Sequence, residues 1–516
     1  MFILRFTLSF PVVLLLTLVL VLFLYTSTGF KYIFYTEIPT VPIVEPFELF
    51  LISAYYYRTS KSLGNHSIAL LLTGDFTAVE ELKNVEIVGW SSENNVITPA
   101  PIQRITPHKV CRWISMFVTA PLLPNPQGLA LSVGNKLVEI PFRAAVAKHY
   151  DVVTCITPLF GNEQWQHALL AAHVYRRFGS HMHLYVRSMV SPLYELMKIY
   201  ENEGYLSIQP WIRITLLTIS ELQFNPNINV EFGNQAAAQT DCLLQYKESA
   251  SYIAFMDLDD LLIPRVSNTY LDEFTHLFQS LPNVAYIHYL RENTKLSAAR
   301  SASELSLSEM LSSIQFDEIN ETGKLVVDVR YINTTWIHYP VSVAGGMERF
   351  DVPDYINVIT NLKHMELASS SMTLKMTHIV TSESESRSDV YDLFMPHTIE
   401  DDDERPLLEQ RHIDEIQSDF ERMRNTADLT NILSRLPKSF VYLPVIAKCF
   451  EDIFYKYHHS ERFKNIKCPG PDRCQFPRGI MCYNSAGWFH SISDGSKFNL
   501  HFATDANFVE QDGCRP

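Results

Sequence analysis

The sequence predicts an α/β protein that follows a hydrophobic N-terminal helix, with a β-rich region before the α/β part and a disulfide-rich tail after it. Between residues 151 and 260, strand-like apolar runs and helical segments alternate four times, which is typical of a parallel sheet with crossover helices. The run from Phe6 to Tyr25 carries no charged residue and is long enough to cross a membrane. Four of the eight cysteines lie between Cys468 and Cys514 and favour disulfides there.

The N-terminus is predicted to hold the chain in a membrane. Residues 6–28 form the predicted uncleaved anchor, residues 1–5 a short cytoplasmic tail, and residues 29–50 a stem. The alternative is a cleaved signal peptide, whose apolar region spans roughly 7–15 residues and ends at small residues. The following "TSTG" is a poor cleavage site, so we expect a single-pass type II protein with its body in the secretory lumen.

Cysteines, sequons and charge agree with that compartment. Sequons for N-glycosylation begin at Asn65, Asn320 and Asn333. The tail cysteines favour disulfides over a zinc site, because their spacings do not repeat as CxxC pairs. The formal net charge of -15 argues against nucleic acid as a partner, since phosphate backbones need clustered Lys and Arg.

Beyond the stem, a chain of this length predicts more than one folded region. Residues 51–148 contain β-like runs separated by Gly, Asn and Pro, and predict a β-rich domain. Residues 149–385 are the predicted α/β domain. Residues 386–516 are predicted to be helical near 406–437 and then loop-rich, with the cysteines as staples.

Each element of the α/β region has a local signal. Strands are predicted where apolar runs are bounded by Gly or polar residues, at 151–159, 181–188, 205–211 and 252–260. Helices are predicted from their apolar spacing, at 162–178, 192–204 and 234–249. The second helix begins with Pro and ends at Gly. The serine-rich stretch 296–313 is expected to be a loop.

Three aspartates end the apolar run "SYIAFMDLDDLLIP" at residues 251–264. If the strand continues, Asp257 and Asp259 face the same side, at the carboxyl end of a parallel strand where ligands bind. Their hard oxygens suit Mn²⁺ or Mg²⁺. Such an ion can bridge to a diphosphate leaving group, as sugar transfer from a nucleotide-sugar requires. Asp260 is expected to hold the loop.

Two other functions fit the same residues. An apolar strand ending in Asp-x-Asp is similar to the first motif of haloacid dehalogenase-like phosphatases, in which Asp257 would be a nucleophile, although that motif continues with Gly-Thr. A non-catalytic glycan-binding protein on a transferase fold is the second alternative. An EF-hand is excluded, because Leu261, Leu262 and Ile263 stand where the loop needs Gly and further oxygen ligands.

Several motifs in order resemble glycosyltransferase family 92. They are "CITPLFG" (155–161), "GNQAAAQTDCL" (233–243), "AFMDLDDLLIPR" (254–265) and "WIHYPV" (336–341). The resemblance implies a GT-A-like, Rossmann-type catalytic domain in a type II protein of the Golgi membrane. It further implies inverting transfer of galactose from UDP-galactose to a glycan acceptor, with Mn²⁺ (or Mg²⁺) at Asp257 and Asp259.

An inverting transferase also needs a carboxylate base for the acceptor hydroxyl. The candidates are three acids that follow a Gly pair and are otherwise ordinary surface acids: Glu348, Asp351 and Asp354.

Further residues are candidates for binding the metal and the donor. His338 or His364 is a candidate third metal ligand, with a hydrogen-bonded, partly buried histidine as the alternative. Gln235 is a candidate for the donor, since helix N-termini favour phosphate. Few basic residues lie near the aspartates in sequence, so neutralisation of the diphosphate is expected to rest mostly on the metal.

Overall fold

The computed structural model describes residues 47–133, 136–354, 356–368, 407–460, 462–493 and 498–516. Residues 46–516 form one compact unit. The predicted cytoplasmic tail, anchor and most of the stem lie outside the described residues. Among the helices that are described, none is long and apolar enough to cross a membrane. The predicted domain boundaries at 51, 149 and 386 stay a prediction.

The N-terminal region consists mainly of strands. Its elements are β1 (Phe47–Tyr57), β2 (Ser67–Asp75), α1 (Phe76–Leu82), β3 (Asn84–Trp90), β4 (Asn95–Arg104), β5 (Trp113–Pro121), β6 (Gly128–Val133), β7 (Lys136–Glu139) and β8 (Arg143–Ala144).

The α/β region follows. It begins with β9 (Tyr150–Leu159), α2 (Trp165–Arg177), β10 (Ser180–Val186), β11 (Ser188–Val190), α3 (Ser191–Asn202), β12 (Leu206–Pro210), α4 (Gln235–Tyr246) and β13 (Ala250–Met256). It continues with β14 (Asp260–Leu261), α5 (Tyr270–Ser280), β15 (Val284–Ala299), α6 (Leu307–Ser312), β16 (Gln315–Asp328), β17 (Ile332–Thr335), β18 (Pro340–Val343), β19 (Glu348–Val352) and β20 (Ile359–Ala368).

The C-terminal region contains helices and then a long hairpin. Its elements are α7 (Gln410–Arg424), α8 (Ala427–Leu433), α9 (Tyr442–Phe450), a π-helical turn (Glu451–Tyr455), α10 (Lys456–His459), β21 (Met481–Ser493) and β22 (Phe498–Asp512). Short 3₁₀ turns occur at Pro226–Asn229, Glu231–Gly233, Phe463–Asn465 and Pro471–Arg473.

The sheet that carries the site has, within the described residues, the strand order β12-β10-β9-β13-β16-β15-β20-β14, with β19 beside β15. Strands β12, β10, β9 and β13 run parallel, which confirms the predicted parallel sheet. Strand β16 is antiparallel to β13, and β15 is antiparallel to β16, so β15 and β19 point the same way as β13. The carboxyl ends of β9, β13, β15 and β19 therefore face one edge.

Helix α4 lies between this sheet and the N-terminal sheet. Every residue from Gln235 to Tyr246 is buried, and its core cluster joins residues of β1, β2, β9 and β13. The small alanines at 236–238 let the neighbouring elements pack closely against this buried helix, and its buried Asp241 accepts hydrogen bonds from Tyr55 at 3.0 Å and Tyr185 at 2.7 Å. The disulfide Cys155–Cys242 ties this helix to β9.

The tail is not loop-rich, so that expectation was wrong. Strands β21 and β22 pair along their length, and β22 pairs in parallel with β1, for example Leu49 with Leu500. The partner strand lies far away in sequence, so only the folded chain supplies it. The serine-rich stretch was also misjudged as a loop, because Ser306 accepts a hydrogen bond from the Glu309 N–H and begins α6.

All eight cysteines form disulfides, as predicted for the tail and in place of zinc. The bonds are Cys111–Cys468, Cys155–Cys242, Cys449–Cys474 and Cys482–Cys514. Two of them lie within the tail, whereas Cys468 is joined to the N-terminal region.

Candidate functional site

Asp257 lies at the carboxyl edge of the parallel sheet, directly after β13. Met256 is in register with Ile156 of β9, so Asp257 follows at the level of Thr157. One Asp257 oxygen accepts hydrogen bonds from Thr157 Oγ1 at 2.9 Å and from Gln235 Nε2 at 3.2 Å. The structure thus brings Gln235 and Asp257, the two residues predicted to bind the donor, into contact; their role stays a prediction.

Two cations from later strands reach the same carboxylate. Lys324 Nζ, from β16, lies 3.0 Å from Asp257, and Arg291 Nη1, from β15, lies 3.3 Å away. The Lys324 side chain is only 1% exposed, whereas that of Asp257 is 25% exposed. Burial by itself would raise the pKa of Asp257, but Lys324 and Arg291 outweigh it and lower that pKa to about 2. Asp257 is therefore a charged carboxylate that ligands can reach.

Gly323 allows β16 to bring Lys324 this close. A Cβ at this position would lie 1.6 Å from the carbonyl oxygen of Tyr289 on β15, so no larger residue fits. Lys324 follows directly and is in register with Tyr289.

Arg291 is held in place by a second carboxylate. Glu321 accepts hydrogen bonds from Arg291 Nη2 at 2.6 Å, Asn293 Nδ2 at 2.9 Å and Lys363 Nζ at 2.7 Å. Burial raises the pKa of Glu321, but the bonds from Asn293 and Lys363 outweigh that effect and lower the pKa to about 2. Arg291 thus bridges two charged carboxylates, and its Nε is buried without a hydrogen-bond partner among the described residues.

Asp260 holds the turn, as expected from the sequence. Its Oδ2 accepts a hydrogen bond from the Asp257 N–H at 3.2 Å, and its Oδ1 accepts one from Asn361 Nδ2 at 2.8 Å. Tyr175 donates to the Asp260 carbonyl oxygen at 2.8 Å. Asp260 is fully buried, and burial raises its pKa to about 7 even though Arg291 opposes the shift.

Asp259 carries the carboxylate of the turn that is available to bind a ligand. Its carbonyl oxygen accepts a hydrogen bond from the Leu362 N–H at 2.8 Å, but its half-buried carboxylate has no hydrogen-bond or ion-pair partner among the described residues. The expectation that Asp257 and Asp259 share one face of a strand was wrong, because β13 ends at Met256. The two carboxylates belong to a turn instead.

The histidines predicted as a third metal ligand lie in different surroundings. His364 is exposed on β20, in register with Lys295 of β15. His338 is closer to the site, because its Nδ1 donates to the Gly323 carbonyl oxygen at 2.9 Å; burial and then Lys324 lower the pKa of His338 to about 3. The described residues contain no cluster of three His, Cys, Asp or Glu side chains that could hold a metal ion.

The three predicted base candidates lie on β19 or directly after it, and β19 is not a neighbour of β13 in the sheet. Glu348 and Asp351 are on β19, which is separated from β13 by β16 and β15. Asp351 pairs with Arg349 and lies 3.0 Å from His288 Nδ1. Asp354 follows the carboxyl end of β19 and so lies toward the same edge as Asp257. Among the described residues, Glu348 and Asp351 form no hydrogen bond or ion pair with Asp257.

A divalent cation fits this site through two carboxylates. Asp257 is charged, Asp259 is available, and both supply oxygen, which Mg²⁺ and Mn²⁺ prefer. Mg²⁺ is often held by one or two carboxylates together with substrate phosphates rather than by a cage made only of protein. The chemistry of the donor set therefore fits a divalent metal that Asp257 and Asp259 would help to hold.

Sequence reasoning missed Arg291, Lys324 and Glu321. The expectation that few basic residues serve the site was wrong, because Arg291 and Lys324 arrive from strands 34 and 67 residues after Asp257. A signal was present, since Lys324 precedes the apolar run "LVVDV" in a strand, where a buried lysine needs a charged partner.

The chain is similar to known proteins over most of its length. The family model "Glycosyltransferase family 92" matches residues 150–424. "Glycosyltransferase family 92 protein F13G3.3" of Caenorhabditis elegans is 41% identical over 471 residues, which cover 91% of each chain. "Galactan beta-1,4-galactosyltransferase GALS3" of Arabidopsis thaliana is 28% identical over 124 residues, 24% of this chain and 23% of that one.

Solved structures give no further argument about the fold. "Crystal structure of S. aureus TarS 1-349" aligns with a TM-score of 0.19 and 10% identity, over 35% of this chain and 47% of that one. The match of the family model and the identity over nearly the whole length of the nematode relative decide the assignment: the chain belongs to glycosyltransferase family 92.

Proposed function

We propose that this glycosyltransferase moves galactose from UDP-galactose to a glycan acceptor, with inversion at the anomeric carbon. The observation that carries the proposal is the Asp257–Asp259 turn, which places a charged and an available carboxylate beside Lys324 and Arg291 at the carboxyl edge of a parallel sheet. Galactose is supported by the family resemblance and by the name of the plant relative.

Lys324, Arg291 and Gln235 form the proposed donor-diphosphate site. Lys324 and Arg291 present positive charge next to Asp257, and Gln235 lies in the first turn of α4, where backbone N–H groups favour phosphate. As the bond to the sugar breaks, negative charge grows on the leaving diphosphate, and preorganised cations stabilise it. Glu321 keeps Arg291 oriented for this task.

Asp257 and Asp259 would hold the Mn²⁺ or Mg²⁺. A bound divalent ion would add positive charge where the leaving diphosphate develops its negative charge. The proposal assigns neither His338 nor His364 a role in holding the metal.

Asp354 is the proposed catalytic base among the three predicted acids. It follows the carboxyl end of β19, and β19 points in the same direction as β13. The acceptor hydroxyl would bind between Asp354 and the donor. Glu348 and Asp351 lie earlier on β19, farther from that edge.

We extend the proposal to fold and location. Four parallel strands followed by an antiparallel neighbour support a GT-A-like catalytic domain. The eight paired cysteines and the apolar run at 6–28 support a single-pass type II protein of the Golgi membrane, with its catalytic part in the lumen.

The test measures UDP release by the full chain, purified in detergent, from a panel of UDP-sugars with Mn²⁺ or with EDTA. We expect UDP-galactose to be turned over only with metal, and Asp259→Asn to lose this activity. Asp414→Asn, an exposed aspartate on α7, is the matched control and should behave like the wild type. Glycan binding that needs neither metal nor the two aspartates, without UDP binding, would favour the non-catalytic alternative. A trapped aspartyl-phosphate at Asp257 would favour the phosphatase.

A further inference from the structure

A short aromatic segment of the C-terminal region packs against Phe232, three residues before Gln235. Helix α9 continues through the π-helical turn Glu451–Tyr455 into α10, and the turn contains Phe454 and Tyr455. Single π-helical turns occur frequently at functional sites. The disulfide Cys449–Cys474 anchors the start of this segment, which follows the region matched by the family model.

Phe232 connects the segment to the aspartates. Its ring centroid lies 5.7 Å from that of Phe454 and 6.5 Å from that of Tyr455, with a 29° angle between the Phe232 and Tyr455 planes. Gln235, three residues later, donates to Asp257. Phe232 has φ of 44°, a conformation that costs free energy for a bulky residue and persists when the surroundings enforce it.

The Tyr455 hydroxyl lies within the electrostatic field of the site. Burial raises the pKa of Tyr455 to about 12, with Arg291 acting against the shift and Asp257 and Glu321 adding to it. Even so, Tyr455 keeps 37% of its surface exposed. The Tyr455 side chain thus remains open to a ligand.

The chemistry of this surface differs from that of the diphosphate site. A pyranose ring has an apolar face of C–H groups that packs on an aromatic ring, and hydroxyls at its edge that hydrogen-bond to a polar group. Tyrosine supplies both, through its ring and its hydroxyl. A diphosphate gains nothing from an aromatic surface, whereas a sugar bound next to the donor does.

We propose that Tyr455, supported by Phe232 and Phe454, forms a pyranose-binding subsite for the acceptor glycan beside the Asp257–Asp259 turn. The inference rests on the proposed transferase function in assigning the bound sugar to the acceptor. Binding of a sugar at this subsite does not depend on that function. The C-terminal segment then completes a site whose charged part comes from the α/β region.

The experiment uses the full chain in detergent and measures two kinds of binding. Saturation-transfer NMR follows a panel of p-nitrophenyl β-pyranosides at millimolar concentration, and calorimetry follows UDP with Mn²⁺. We expect Tyr455→Ala to weaken pyranoside binding at least tenfold while the Kd for UDP changes less than twofold. Tyr455→Phe keeps the ring and should retain most of the pyranoside binding. Trp488→Ala is the matched control, because Trp488 is 70% exposed on β21 and lies outside this segment.

Each outcome separates this inference from the proposed function. Pyranoside binding that Tyr455→Ala leaves unchanged, or no binding of any pyranoside to the wild type, overturns the subsite. Equal loss of UDP and pyranoside binding in Tyr455→Ala also overturns it, since that points to a general structural role. Pyranoside binding that depends on Tyr455, in a protein that turns over no UDP-sugar, supports the subsite and contradicts the transferase.

Discussion

Replacing Lys324 by Met tests the electrostatic design of the site. The change removes the buried ammonium that lies 3.0 Å from Asp257 and leaves a side chain of similar length in the same space. Asp257 then keeps Arg291 at 3.3 Å as its nearest cation. Both the stability of the fold and the affinity for UDP should respond, for different physical reasons.

The expected loss of stability follows from the burial of the pair. Removing one partner of a fully buried ion pair costs roughly 3–5 kcal/mol. An exposed pair contributes roughly 0.2–1 kcal/mol. Asp257 is 25% exposed and retains Arg291, so we expect the free energy of unfolding to fall by about 2 kcal/mol. Removing one positive charge roughly 6–11 Å from the diphosphate, worth roughly 1.5–3 kcal/mol at an effective dielectric constant of about 20, should weaken UDP binding roughly ten- to hundredfold.

The assay combines guanidinium unfolding with calorimetry of UDP in the presence of Mn²⁺. Lys363→Met is the matched control, because Lys363 pairs with Glu321 in the same network but is 45% exposed. Lys363→Met should lower the free energy of unfolding by under about 1 kcal/mol and leave the Kd for UDP nearly unchanged. The reasoning is refuted if both variants behave alike, or if Lys324→Met binds UDP as the wild type does.

Two further predictions concern buried acids. Burial raises the pKa of Glu273 to about 7, although backbone hydrogen bonds act to lower that pKa. Because the carboxyl group loses its proton at lower pH in the unfolded chain than in the folded protein, the free energy of unfolding falls as pH rises from about 4.5 to about 7. The free energy of unfolding of Glu273→Gln should therefore rise by about 2 kcal/mol relative to that of the wild type between pH 5 and pH 8 in guanidinium titrations. Asp260→Ala removes a fully buried acceptor and should lower the free energy of unfolding by about 3 kcal/mol, whereas Asp259→Ala should change it by under about 0.5 kcal/mol and abolish metal-dependent UDP binding. Equal stability losses in the two aspartate variants would contradict their assigned roles.

Local signals placed most of the α/β elements correctly. The apolar run at 151–159 became β9, because burial on both faces of a parallel strand leaves a continuous apolar pattern. The run at 205–211 became β12 at the edge of the sheet, where only Leu206 is buried. The helix predicted at 192–204 begins and ends as its Pro and Gly indicate: Pro192 lies in its first turn, and Gly204 has φ of 78° just beyond it.

Local signals failed where a distant partner decides the outcome. The hairpin of β21 and β22 extends a sheet by pairing β22 with β1. The local sequence of the hairpin carries no information about this distant partner strand. The strand containing the aspartates ends earlier than its apolar pattern suggests, because Asp260 turns the chain to pair with Asn361 on β20.

By itself, the sequence determined the parallel sheet, the aspartates at its carboxyl edge and the family to which the chain belongs. These features depend on residues that are close together along the chain, whose periodicity and spacing can be read directly. Only the tertiary structure decided which charges surround Asp257 and which aromatic residues lie beside it. Arg291 and Lys324 come from separate strands, and long-range strand pairing, rather than local propensity, brings them to Asp257.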